Sequence, residues 1–162
     1  MLARMDCGCI HVASAALGPE RPVCTPVPQT QSQALGAFES PLVVYRLLGE
    51  SAERLKTERA WMLLLRDDKF LHVCSEIGRG TREHVLVDLD WALACALSPV
   101  RTPYCILAHN HPSGSSWPSA EDMRLTVEMG RAAARQGLEL LDHVVLGHGE
   151  LFSFYNRQGF RL

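Results

Sequence analysis

Between His109 and Asp122 the chain reads His-Asn-His-Pro-Ser-Gly-Ser-Ser-Trp-Pro-Ser-Ala-Glu-Asp, which gathers two imidazoles, the Ser119 hydroxyl and the Asp122 carboxylate in one short stretch. Two neutral imidazoles and one carboxylate, with a fourth position left to water, make the ligand set of a catalytic zinc rather than of a closed structural one. His109, His111 and Asp122 are therefore the candidate metal ligands. The competing reading is that Ser119 and Asp122 only cap a helix while the histidines line the rim of a core. His-x-His, the ten-residue spacing from Pro112 to Glu121 and a serine three positions before Asp122 together favour the metal.

The flanking residues show what has to hold these groups. Tyr104 to Ala108 is an unbroken apolar run, the pattern of a strand buried on both faces. In an extended chain residues i and i+2 point to the same side, so His109 and His111 reach one common point, and Pro112 keeps His111 extended. Ser113 to Ser116 form a loop. Pro118-Ser119 then opens a helix with Ser119 as its N-cap and Asp122 at the third helical position. On that helix Arg124, Glu128, Arg131 and Arg135 share a solvent stripe, and Asp122 projects inward with Thr126, Met129 and Ala133.

On these residues the chain from about Pro41 to Arg157 resembles the RadC-type branch (the DNA repair protein RadC family) of the JAB/MPN, or JAMM, metalloprotease superfamily. Its signature is a distant Glu, then His-x-His-Pro, then Ser-x-x-Asp. Ala108 to Gly114, Pro118-Ser119 and Asp122 match it, as does a downstream Leu141-Asp142-His143. The resemblance implies a three-layer, cytidine-deaminase-like α/β fold with a mixed, largely antiparallel sheet flanked by helices. It also implies zinc-dependent hydrolysis of a peptide or isopeptide bond. The family's catalytic Glu stands four residues before a Gly-Thr pair, which assigns the general acid/base to Glu76, ahead of Gly80-Thr81, with Glu83 and Glu50 as fallbacks. Ser119 would donate to the oxyanion. Where the family carries a Val-His-Pro-Arg-Glu-like segment, this chain has Val87-Asp88-Leu89-Asp90-Trp91. A zinc deaminase is excluded, because His-x-Glu and Pro-Cys-x-x-Cys are both missing. A binding module of the same fold, acting in a DNA-repair-associated complex, is the alternative.

With 162 residues and 47% hydrophobic content the chain suffices for one compact domain. A net charge of −2 offers no basic footprint for direct nucleic-acid binding. No upstream helix-hairpin-helix is recognisable, which argues the same way. No apolar run spans a membrane, no secretory signal is apparent, and the six cysteines suit a reduced, cytoplasmic setting. Residues 1–39, with scattered prolines and a Gln patch, are expected to be a flexible low-complexity segment before a domain over 40–162. Cys7, Cys9, His11 and Cys24 fit no common zinc spacing. Helices are expected from Ser40-Pro41 and over Val85 to Leu97, and hairpins over Trp61–Leu65 with Phe70–Ile77 and over Leu138–Leu146 with Leu151–Tyr155. Asp142 and His143 read either as a buried structural pair or as groups orienting the ligands. Trp117 either grips substrate or packs on the loop. His72, His84 and His148 read as structural or surface residues.

Overall fold

A computed structural model describes residues 26–80, 85–87 and 101–162. In chain order these form α1 (Gln29–Leu35), α2 (Leu42–Glu53), β1 (Arg59–Leu65), β2 (Leu71–Gly80), β3 (Val85–Val87), β4 (Tyr104–Asn110), α3 (Ala120–Arg135), β5 (Glu139–Leu146), β6 (Glu150–Ser153) and β7 (Gln158–Arg161). The strands make one sheet in the order β3-β2-β1-β4-β5-β6-β7. Among the described strands only β4 and β5 pair in parallel, and α3 is the crossover between them. The sheet is thus mixed and largely antiparallel, with helices on both faces, the expected three-layer α/β architecture.

Strand alternation builds the layers. In β1, Ala60, Met62 and Leu64 face α3, where they meet Cys105, Leu107, Met129, Ala132 and Ala133. Trp61, Leu63 and Leu65 face the other way, onto Val44, Leu48 and Ala52 of α2. Because both faces are covered, β1 reads as a continuous apolar run rather than an alternating one. Met129, fully buried between α3 and the sheet, stabilises that layer by about 1.5–3 kcal/mol of apolar burial.

The β1–β2 hairpin turns at Asp67-Asp68 as expected. Arg66 N donates to Phe70 O at 3.0 Å, and Asp68 accepts from Phe70 N. α2 runs straight through Gly49. α3 ends before a glycine in the left-handed region, with Gly137 at φ 73° and Leu138 N bonded back to Ala133 O.

Two expectations need correction. Residues 26–39 are packed: Val27 N bonds His72 O, and the buried Ser32 donates to Leu71 O at 2.6 Å, so α1 lies along the end of β2. Val85–Val87 is a strand on the edge of β2 rather than the start of a helix. Its β-branched residues pair with Gly78 to Gly80, a tertiary option that helical periodicity does not register. The rest of that expected helix (88–97), residues 1–25 with Cys7, Cys9, His11 and Cys24, and Thr81, Glu83, His84 and Cys95 lie outside the described residues.

Candidate metal centre

β4 delivers His109 at its last turn of the pleat, wholly buried on the α3 face. His111 follows just past the strand end, with its N–H bonded to Leu146 O of β5 at 2.9 Å. Asp122 enters from the first turn of α3. Ser119 Oγ accepts from Asp122 N at 3.1 Å while Asp122 Oδ2 accepts from Ser119 N at 2.7 Å, the capping box expected from the sequence. The Ser119 hydroxyl also donates to Asp122 Oδ2 at 2.8 Å. With Oδ2 held in this way, Oδ1 points at His109.

The result is a tight convergence. His109 Nε2 lies 3.0 Å from His111 Nε2 and 3.0 Å from Asp122 Oδ1, and His111 Nε2 lies 3.3 Å from Asp122 Oδ2. Ligand atoms of all three residues fall within 4.8 Å of one another. Atoms each about 2.0–2.2 Å from one tetrahedral ion stand about 3.4 Å apart, so the spacing suits a single small cation. The donor chemistry fits too. His111 Nδ1 is 2.9 Å from Ser115 O and donates to it, so in the neutral ring the lone pair is on Nε2, facing the Asp122 carboxylate. In that form two acceptors face each other, a pair that a proton or a metal cation satisfies. Burial pushes His109 below the usual histidine range, which favours the neutral imidazole that a metal needs. Burial also opposes charge on Asp122, yet its hydrogen bonds with His109 and His111 outweigh that and hold the carboxyl well below the ordinary range. His111 is raised, because Asp122, Ser115 O and Glu58 outweigh its burial.

The loop between these elements is seated on the β5–β6 turn. His148 N donates to Gly114 O at 2.8 Å, and Glu150 accepts from Ser116 N at 2.7 Å. Gly147 allows the contact: a Cβ there would stand 2.3 Å from Gly114 O. Trp117 rests its edge on Phe152, centroids 5.5 Å apart, yet stays 71% exposed beside the site.

Glu76, assigned as acid/base, is not at this centre. It pairs with Trp61, on the α2 face of the sheet, whereas His109 and Asp122 lie on the α3 face. Both Arg59 and Arg79 bond its carboxylate, so Glu76 is held in ion pairs within β2. The acid near the centre is Glu58, which sequence reasoning missed. Ala60 lies opposite His109 across the β1–β4 pair, so two residues earlier Glu58 comes opposite His111 and on the same face. It is buried, and its charge acts on His111. Asn110, the middle residue of His-Asn-His, clamps both sides of it: Arg59 N donates to Asn110 Oδ1 at 2.8 Å and Asn110 Nδ2 donates to Thr57 O at 3.3 Å. A carboxylate directly before the apolar run of β1 was the available signal. Using it required the β1–β4 register.

Asp142 and His143 part company. Asp142 accepts from Ser153 Oγ and from the N–H groups of His143 and Tyr155, which closes the end of β6. His143 turns to the metal side, with Nε2 2.8 Å from His109 Nδ1.

A profile of the RadC-like JAB domain matches residues 38–160. A UPF0758 protein of Porphyromonas gingivalis is 29% identical over 162 residues, covering 94% of this chain and 71% of its own length. One from Actinobacillus succinogenes is 36% identical over 122 residues, covering 72% of this chain and 53% of its own length. One from Clostridium botulinum is 29% identical over 116 residues, covering 72% and 50%. The chain thus spans from half to about seven tenths of the length of these relatives.

Proposed function

Since the chain belongs to the RadC-like JAB domain family, we propose that it is a zinc metallopeptidase hydrolysing a peptide or isopeptide bond in a protein substrate. The observation that carries this is the convergence of His109, His111 and Asp122 on one point with the Glu58 carboxylate brought to the same face by strand register. A zinc ion held by those three residues supplies a water acidic near neutral pH and a Lewis acid for the scissile carbonyl. Glu58 takes the water's proton and returns it to the leaving amine, the work of a general acid/base. Ser119, at the exposed mouth of the helix, rotates its hydroxyl from Asp122 Oδ2 to the developing oxyanion. Trp117, largely exposed beside the loop, offers a flat apolar surface to the substrate chain.

The test is zinc content by mass spectrometry together with turnover of peptide and isopeptide-linked substrates, for wild type, Glu58→Gln and Glu76→Gln. Expected is about one equivalent of zinc in all three, turnover lost in Glu58→Gln and kept in Glu76→Gln. Full turnover in Glu58→Gln would remove it from the mechanism. A wild type that takes up no zinc at neutral pH would move the assignment to a non-catalytic binding module.

A further inference from the structure

His143 lies wholly buried, 34 residues from His109 in sequence, and serves no ligand role. Its ring stacks on Phe154 with centroids 4.8 Å apart and planes 6° from parallel, so its orientation is set. Both of its nitrogens are engaged: Nε2 with His109 Nδ1 at 2.8 Å and Nδ1 with Thr126 Oγ1 at 2.6 Å. Thr126 Oγ1 in turn stands 2.6 Å from the backbone carbonyl oxygen of Asp122, one helical turn back.

The direction of each bond follows from one hydrogen. A carbonyl oxygen has no proton, so at 2.6 Å the Thr126 hydroxyl must donate to Asp122 O. A hydroxyl carries a single hydrogen, so toward His143 the same oxygen can only accept, and His143 bears its proton on Nδ1. His143 is wholly buried and its two nitrogens meet His109 and Thr126 rather than a carboxylate, so the ring holds a single proton. Its Nε2 is then a lone pair, and His109 must donate from Nδ1. That leaves His109 Nε2 as a lone pair aimed at His111 and Asp122.

We propose that His143 and Thr126 are positioning residues that read the backbone of ligand-bearing α3 and, through it, fix which nitrogen of His109 is free to bind metal. The inference rests on the proposed metal site and adds the device that prepares one ligand. It couples two ligands otherwise held by separate elements: if α3 shifts at Asp122, the acceptor that orders the chain shifts with it.

The test uses the full chain with ¹⁵N-labelled histidine. Long-range proton–nitrogen correlation spectra of the metal-free and zinc-titrated protein report the His143 proton directly. It is expected on Nδ1 in both, and a proton on Nε2 would overturn the proposal. Zinc affinity is then measured by chelator competition. Thr126→Val, similar in shape but without donor or acceptor, is expected to bind zinc about 10–100-fold more weakly, and Thr126→Ser to return close to wild type. Unchanged affinity in Thr126→Val would likewise overturn it. A wild type that binds no zinc would sink the metal reading alone, because the nitrogen shifts of the metal-free protein still decide the proton order.

Discussion

Asp122 does two jobs that one pair of substitutions separates. Its Oδ2 caps α3 through Ser119 N, and its Oδ1 faces His109. Asp122→Asn keeps a carbonyl oxygen for the cap and loses the charge, so the metal-free protein should fall by about 0.3–1 kcal/mol, the value of an anion at a helix N-terminus. Asp122→Ala also leaves Ser119 N–H without its partner and should cost about 1 kcal/mol more. Zinc at about 100 times its dissociation constant stabilises wild type by about 2.7 kcal/mol, which for a domain of this size is a rise of about 5–10 °C in Tm. If Asp122→Asn weakens zinc about 100-fold, the same zinc concentration yields about 0.4 kcal/mol, a rise of about 1 °C. The assay is thermal unfolding after chelator treatment, with and without added zinc. A zinc-induced rise in Asp122→Asn equal to that of wild type would show Asp122 to be a cap and nothing more.

Three further outcomes are expected. His111 has a raised pKa, so its interactions stabilise the metal-free protein below the unfolded value of about 6.5 and are lost as pH rises through the folded one. Zinc must displace that proton, and the zinc-induced rise in Tm should grow from about pH 6 to about pH 8; a flat profile would refute the assignment. Asn110→Ala removes the bonds to Arg59 N and Thr57 O and should cost about 1–3 kcal/mol in chemical denaturation, with turnover falling while zinc is retained. Loss of zinc instead would make Asn110 a support of the ligands rather than of Glu58. Burial pushes the thiols of Cys74 and Cys105 up to about 12, so in the native protein both should resist alkylation at neutral pH, as peptide mapping would show; prompt labelling would mean the sheet opens locally.

Much of the centre is legible in the sequence because its parts are local. His109 and His111 share a side because a strand alternates, Asp122 turns inward because a helix repeats every 3.6 residues, and Ser119 with Asp122 forms a capping box by spacing alone. The apolar runs of β1 and β4 and the turn signals between them were enough for a layered α/β domain. Pairing across the sheet is another matter. Glu76 stands near the end of one apolar run as convincingly as Glu58 stands before another, and only the alignment of strands distinguishes them. Ala60 meets His109, whereas a shift in register between Ala60 and Trp61 sets Trp61 against Glu76 on the far face. A one-residue displacement along a strand reverses the side on which a carboxylate emerges. The same holds for His143, which reaches His109 because β5 lies parallel to β4 and places it beside Leu107. The residues before and after one loop thus specify the candidate ligands, and the identity of the nearby acid and of the imidazole behind His109 is decided by register, a property that arises only when distant strands pair.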